Sequence, residues 1–234
     1  MSEAPIGTDA VRVMVIGAHP DDPEFGCAGT VAKWAQEGRE ITYVLLTSGD
    51  KGSHDPEMRP GALASIREKE QGEAARELGV KSVLFLHHPD GLLVNDLVLR
   101  REVCEIVRRH RPNIVLAIDP WRPYQLHPDH RAAGQAALDA IYAAREHFIF
   151  PEQMVGGTEP WRVGDIYLYW TENADTWVDV TGSIDLRMTA LKRHVSQIGD
   201  RFERIDERLR NMARVVGEKC GHPYAEGFKH IVLR

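Results

Sequence analysis

The chain has little of what typifies secreted, membrane-spanning or nucleic-acid-binding proteins. Only three of its 234 residues are cysteine, and Cys27, Cys104 and Cys220 lie too far apart for a disulfide framework or a CxxC metal motif. No apolar run approaches the ~18–20 residues that cross a bilayer, and the first residues lack the pattern of a signal peptide. Lysine and arginine number 29 against 35 aspartate and glutamate, a net charge of −6, which disfavours a nucleic-acid partner. We therefore expect a cytoplasmic protein with no membrane or nucleic-acid partner.

The composition is that of a folded domain with an unusual supply of histidine. Apolar residues make up 43% of the chain and charged residues 27%, which are ordinary values for a globular protein. A chain of this length buries enough surface to fold without covalent staples, so we expect one domain over 1–234. Histidine occurs 11 times, and some of these residues form two tight groups with aspartate.

Hydrophobic patterning predicts alternating strands and helices. Apolar, β-branched runs indicate strands, and amphipathic spacing with capping residues indicates helices between them. The predicted strands are 11–17, 40–47, 82–87, 113–118, 165–170 and 176–180, and the predicted helices are 25–38, 61–78, 96–110, 129–146 and 183–209. This order is typical of a Rossmann-like α/β fold, a mostly parallel sheet with helices on both faces in three α/β/α layers.

Two parts of the chain have a less regular pattern. The segment 147–164 is either an insertion that forms a mobile active-site flap or an ordinary surface connection. The helix that begins at about residue 183 and the mixed tail that follows it are expected to pack on the domain as its C-terminal part.

A cluster of polar residues directly follows the first predicted strand, where residues 18–24 read AHPDDPE. Ligands of open parallel sheets bind beyond the carboxyl ends of the strands. His19 and Asp22 are three residues apart, so one turn can point both inward as metal ligands, and adjacent carboxylates need a cation close by. Asp21 then faces another direction and is free to accept a proton from water. The alternative is a turn in which an aspartate caps the next helix.

A second cluster, His127-Pro-Asp-His130, follows the fourth strand in the same way. His127 and His130 have the same three-residue spacing, and Asp129 can orient an imidazole through its ring N–H. One histidine can bind a metal while the other transfers a proton or stabilises an oxyanion. A helix cap at Asp129 is again the alternative.

Together the two clusters predict one metal site. His19, Asp22 and His130 would supply three ligands and leave a fourth position for water, as in catalytic zinc sites. Iron or cobalt could use the same ligands, so the identity of the metal stays open. The first cluster does not contain the glycine-rich motifs that bind phosphate, which disfavours a dinucleotide cofactor.

A first strand followed by AHPDDPE, with HPDH later in the chain, closely resembles the PIG-L/LmbE-like family of zinc-dependent N-deacetylases. The resemblance implies a metal-dependent hydrolase that removes the N-acetyl group from an N-acetylated amino sugar or sugar conjugate. It also implies one Zn²⁺ per chain, held by His19, Asp22 and His130, with Asp21 as the general base. The commonest first motif of the family is HPDDE, whereas here Pro23 intervenes and displaces Glu24 by one position.

The resemblance extends to the other site residues. His127 would stabilise the tetrahedral oxyanion or act as acid toward the departing amine, with Asp129 tuning it. Arg67 and Asp90 match family positions that contact substrate hydroxyls, although Arg67 could instead pair with Glu70 on a solvated helix face and Asp90 could be part of a turn. Similar proteins often form trimers or hexamers, so a homo-oligomer is expected.

Other interpretations stay open from the sequence alone. The chain could be an amidase for another small amide or a thiol-sugar conjugate, or a non-catalytic module that binds metal or sugar. Trp121, Arg122 and Tyr124 could form a wall on which a sugar stacks, or could simply pack a rigid loop.

Overall fold

A computed structural model describes residues 10–233. Its strands are β1 (Arg12–Gly17), β2 (Glu40–Thr47), β3 (Ser82–His88), β4 (Ile114–Ile118), β5 (Asp165–Tyr169), β6 (Thr176–Asp179) and β7 (Ala225–Val232). They form one sheet in the order β3-β2-β1-β4-β5-β7-β6. The first five are parallel, and β7 pairs antiparallel with both β5 and β6.

Within residues 10–233, eight α-helices connect the strands in chain order. They are α1 (Asp22–Gly26), α2 (Ala28–Gln36), α3 (Pro60–Glu77), α4 (Leu97–His110), α5 (Pro128–Ala144), α6 (Ile184–Leu191), α7 (Val195–Ile198) and α8 (Phe202–Glu218). Helices α4 and α5 pack on each other, and α6 contacts α2 and α3. This arrangement confirms the predicted three-layer α/β/α fold, and none of the described helices is long and apolar enough to span a bilayer.

The central strands are apolar because both of their faces are covered. Every residue of β4 is buried, and so are the last five residues of β1. Continuous Val, Ile and Leu runs are typical of such strands in parallel sheets. Gly17 of β1 pairs with Leu45 of β2, and Ile16 pairs with Ala117 of β4, so the polar loops that follow these strands emerge at the same edge of the sheet.

Two predicted helices are wrong in their extent. The predicted helix 25–38 is two helices, because α1 starts at Asp22 and the backbone bends at Cys27 (φ −150°) before α2. The predicted helix 183–209 is broken into α6, α7 and the start of α8. Its break falls at His194, whose fully buried side chain turns inward to contact Glu24.

The C-terminal tail does more than pack on the domain. It forms β7, which lies between β5 and β6 and pairs with both. The mixed sequence of this tail, which ends in an apolar IVL, does not predict the strand.

The segment 147–164 is not an active-site flap. It joins the end of α5 to the start of β5, so it lies at the opposite edge of the sheet from the two motifs. The fully buried guanidinium of Arg108 fastens it, donating hydrogen bonds to the carbonyls of Ala143, Ala144, Glu146, Ile149 and Phe150 and to the Gln153 side chain.

Replacing this guanidinium should lower the stability of the fold without changing the residues of the two motifs. We expect Arg108→Met to lower the free energy of unfolding by about 3 kcal/mol, because several buried carbonyls lose their donor. Urea unfolding measures the change. The control is Arg109→Met, which removes only an exposed pair with Glu105 and should cost no more than about 0.5 kcal/mol. Equal losses in the two variants would contradict the anchoring role of Arg108.

Candidate active site

A cavity of about 770 Å³ opens at the edge of the sheet where β1 and β4 end. Its walls include residues from the segments that follow five strands, β1 to β5, among them His19, Lys51, Asp90, His127 and Trp170. The two motifs predicted from the sequence therefore share one cavity, although more than a hundred residues separate them along the chain.

Asp22 ties the first motif to its own backbone and to the second motif. Its Oδ2 accepts hydrogen bonds from the backbone N–H groups of Ala18 and His19, both at 2.9 Å. Its Oδ1 lies 3.2 Å from Nε2 of His130. The carboxylate thus bridges the loop after β1 and the first turn of α5.

His19 is surrounded by carboxylates on both sides of its ring. Its Nδ1 faces Asp22, with 3.6 Å between Nδ1 and Oδ2. Its Nε2 lies 3.1 Å from Asp129 Oδ2 and 3.1 Å from Asp90 Oδ1. These two carboxylates can hold the ring orientation through one nitrogen while the other faces Asp22 and the cavity.

The three imidazoles of the motifs form a compact group. The rings of His127 and His130 stack with centroids 4.4 Å apart, and the ring of His19 meets His127 edge-on at 4.7 Å. Ligand atoms of these histidines all lie within 4.8 Å of one another, and so do those of His19, Asp90 and Asp129.

The donor chemistry fits a divalent transition metal. Imidazole nitrogens and carboxylate oxygens are ligands that zinc accepts. In the predicted set of His19, Asp22 and His130, Asp22 contacts both histidines. The Asp90 and Asp129 carboxylates at His19 Nε2 are partners of the kind that metal-binding histidines usually have. His127 lies close enough to the same group to be a competing ligand.

The charges of the site also favour a cation. Burial lowers the pKa of His19, but hydrogen bonds to Asp129, Asp22 and Asp90 outweigh burial and raise that pKa well above its ordinary value. Burial raises the pKa of Asp22, yet the His130 imidazole and hydrogen bonds to both histidines hold it well below its usual range. Carboxylates are thus in excess around these nitrogens, and a metal ion would balance them.

Asp21 points into the cavity beside the metal-type ligands. Its backbone is left-handed (φ 88°), and its Oδ2 lies 3.3 Å from a guanidinium nitrogen of Arg67. Burial raises the pKa of the Asp21 carboxyl to about 6, while the Arg67 charge acts in the opposite direction. A carboxyl with this pKa can exchange protons near neutral pH.

Arg67 and Asp90 both line the cavity. The guanidinium of Arg67 is buried and donates to the carbonyls of Gly49 and Pro20, so its alternative interpretation, a pair with Glu70 on a solvated face, is wrong. A Cβ on Gly49 would lie only 2.1 Å from this guanidinium, so the loop after β2 needs glycine there. Within the described part of the chain, Arg67 Nε has no hydrogen-bond partner.

Asp129 has a different partner from the one expected. The sequence interpretation made it tune His127, but its Oδ2 contacts His19 Nε2, and its two oxygens accept the N–H groups of Gly91 and Leu93 at 2.6 and 3.1 Å. The reason is that α5 directs its first turn toward the loop after β3. The charge of Asp129 still acts on His127 and raises its pKa. Burial and the neighbouring His130 and His19 act in the opposite direction, and the pKa of His127 is lowered.

The aromatic side of the cavity also differs from expectation. Trp121 and Tyr124 project into solvent, 65% and 94% exposed, and of the proposed wall only Arg122 lines the cavity. Trp170 lines it instead, with its ring centroid 5.1 Å from that of His130. The sequence pattern does not indicate this role, because Trp170 is the last residue of the predicted strand 165–170.

The sequence pattern indicates no role for three further buried residues near the site, Glu24, Gln71 and His194. Gln71 accepts the backbone N–H of Asp21 and donates to Glu24, which in turn contacts His194. Glu24 had no assigned role, and His194 had no recognisable pattern around it. Only tertiary structure brings the three together.

The chain is similar to known proteins. Residues 14–141 match the family described as PIG-L, GlcNAc-PI de-N-acetylase. The chain is 34% identical over 224 residues to a diacetylchitobiose deacetylase of Thermococcus kodakarensis, covering 95% of this chain and 84% of that protein. It is 33% identical over 141 residues to a probable N-acetyl-α-D-glucosaminyl L-malate deacetylase 2 of Bacillus anthracis, covering 58% of this chain and 62% of that protein.

A solved structure extends the likeness to nearly the whole fold. The N,N′-diacetylchitobiose deacetylase of Pyrococcus horikoshii superposes with a TM-score of 0.91 at 36% identity, covering 96% of this chain and 85% of that one.

Proposed function

The chain belongs to the PIG-L family of GlcNAc-PI de-N-acetylases, and we propose that it removes the N-acetyl group from an N-acetylated amino sugar or sugar conjugate at the cavity where its two histidine motifs meet. It is a hydrolase acting on an amide bond. The observation that carries the proposal is the contact of Asp22 with both His19 and His130, directly beside the Asp21 carboxyl, which lines the cavity and pairs with Arg67.

The residues proposed to hold the metal are His19, Asp22 and His130. The contacts of Asp90 and Asp129 with His19 Nε2 support this set, because they leave Nδ1 as the nitrogen that faces Asp22. A zinc ion bound there would acidify a water molecule to a pKa of about 7 and polarise the acetamide carbonyl. His127, the nearest remaining imidazole, then stays available for catalysis.

Asp21 is proposed as the general base. Its carboxylate takes a proton from the attacking water, and the resulting carboxylic acid can give that proton to the amine as the C–N bond breaks. The Arg67 guanidinium 3.3 Å away favours the ionised form that must be present at the start. Acetate and a free amino sugar are the products.

His127 is proposed to stabilise the oxyanion that develops on the acetamide oxygen. Burial and two neighbouring imidazoles lower its pKa, which favours the neutral ring, and a neutral ring can donate a hydrogen bond through one nitrogen. Asp129 acts mainly on His19, which makes it a support for the ligand set.

The substrate is proposed to lie between polar and aromatic walls. Arg67 and Asp90 offer a planar donor and a carboxylate to sugar hydroxyls, although Asp90 also contacts His19 and the Lys51 backbone N–H. Trp170 and Phe25 line the same cavity and suit the apolar face of a pyranose ring.

A homo-oligomer, a trimer or a hexamer, stays a prediction. Exposed apolar side chains follow β3 beside the cavity, and their exposures of 66–69% support a contact surface there: Leu92, Val94, Leu97 and Val98. Light scattering on the purified protein measures the assembly.

The function is tested by acetate release. The purified protein is incubated with a panel of N-acetylglucosamine derivatives, and both acetate and free amine are quantified. We expect equimolar products, loss of activity after dialysis against a chelator, and recovery when Zn²⁺ is restored, because the metal set is accessible from the cavity. Release of a larger acid would favour the amidase alternative, and zinc uptake without any product would favour a binding module.

A further inference from the structure

The backbone of Asp21 is held in a conformation that aspartate seldom adopts. Its φ of 88° and ψ of −21° lie in the left-handed region, which is unfavourable for residues other than glycine. This peptide also sets the direction in which the Asp21 carboxyl enters the cavity. Neighbouring groups must therefore stabilise the conformation.

Two residues of α3 contact this peptide: Arg67 donates to its carbonyl, that of Pro20, and Gln71 accepts its N–H. Gln71 Oε1 accepts the backbone N–H of Asp21 at 2.8 Å, and its Nε2 donates to Glu24 Oε1 at 3.0 Å. Since Asp21 offers an N–H and Glu24 a carboxylate, only one orientation of the Gln71 amide makes both hydrogen bonds. The amide of Gln71 is fully buried, so no water molecule replaces either partner.

Glu24 is in turn fixed from the break between α6 and α7. Its Oε2 lies 3.2 Å from His194 Nε2, and both side chains are fully buried. Arg187 of α6 also donates to the Glu24 backbone carbonyl at 3.0 Å. A hydrogen-bonded chain thus runs from His194 through Glu24 and Gln71 to Asp21, and none of its first three members lines the described cavity.

We propose that Gln71 is a positioning residue for Asp21, and that the Glu24–His194 pair fixes the orientation of the Gln71 amide. The proposal rests on the deacetylase function given above. Glu24, the displaced glutamate of the first motif, thereby has a role, which is to hold Gln71 and through it the backbone of Asp21.

An exchange of the two partners tests the chain of hydrogen bonds. Gln71→Glu alone places two carboxylates against each other, whereas Gln71→Glu combined with Glu24→Gln restores every contact. In the double variant the carboxylate at position 71 accepts hydrogen bonds from the Asp21 N–H and from the amide NH₂ at position 24. The amide oxygen at position 24 then accepts a hydrogen bond from His194. Gln71→Met removes the acceptor altogether. Gln153→Met, at the opposite edge of the sheet, is the matched control for losing a buried glutamine.

For each variant kcat, KM, bound zinc and the melting temperature are measured. We expect Gln71→Met and Gln71→Glu to lower kcat by about 10- to 100-fold with KM and zinc content unchanged, because the base is misplaced by a fraction of an ångström. The exchanged pair should recover kcat to within about threefold of the wild type, and Gln153→Met should keep the wild-type kcat.

The contrary outcomes are equally distinct. A kcat within twofold of the wild type in Gln71→Glu, an exchanged pair no more active than Gln71→Glu alone, or activity lost in step with zinc would each overturn the positioning role. If Gln71→Met does not fold, the comparison of Gln71→Glu with the exchanged pair decides the question. Failure of the wild type itself to release acetate would instead count against the proposed function.

Discussion

Asp21→Asn should lower kcat for acetate release by about 1,000-fold, the middle of the range expected when a general base is removed. The amide of asparagine keeps the size of the side chain but cannot accept a proton from water. Asp21 contributes no atom to the His19, Asp22 and His130 set, so zinc content should stay at the wild-type level. Product formation at saturating substrate measures the effect, and elemental analysis measures the metal.

The matched control is Asp55→Asn, which changes an exposed aspartate of the loop after β2. It should leave both kcat and zinc content unchanged. If Asp21→Asn turned over normally, the proton would have to go to another group and the assignment of the base would be wrong.

His130→Ala should remove the metal as well as the activity. His130 is the only member of the proposed ligand set on the second motif, and its Nε2 lies 3.2 Å from Asp22. We expect zinc affinity to fall by more than the 10- to 100-fold typical for loss of an outer partner, with acetate release falling at least as far. Competition with a chromogenic chelator measures the affinity.

A graded series sharpens this prediction. Asp129→Asn weakens the support of His19 and the contacts with the Gly91 and Leu93 N–H groups, but leaves the three proposed ligands in place. Its zinc affinity should therefore lie between those of the wild type and His130→Ala. The control is His147→Ala, which removes an exposed histidine of the segment 147–164. It should leave zinc affinity and acetate release unchanged. If His130→Ala bound zinc with the wild-type affinity, the metal would have to be bound by other residues.

The sequence was most informative where the chemistry is local. The strand 40–47 has the predicted bounds, and the positions of both motifs at strand ends follow from apolar runs that end in polar loops. Parallel pairing of β1 with β4 then brings the motifs together. His19, Asp22 and His130 could be singled out because each motif keeps its residues within a single turn.

Groups that meet only through tertiary structure could not be predicted. His194 lies 170 residues from Glu24 along the chain, and the apolar spacing of 183–209 favoured a continuous helix rather than the break that turns this imidazole inward. Trp170 reaches the cavity because its backbone is left-handed (φ 59°) directly after β5. The contact of Asp129 with His19 could not be predicted, because the two residues lie 110 positions apart along the chain and only the fold brings them together.

The central claim is that one ion is shared by the two motifs, and diffraction from zinc-loaded crystals at the zinc absorption edge tests it most directly. We predict one anomalous peak per chain, about 2.0–2.3 Å from a nitrogen of His19, an oxygen of Asp22 and a nitrogen of His130. A peak coordinated instead by Asp90 and Asp129, or no peak in crystals of a protein that releases acetate, would contradict it.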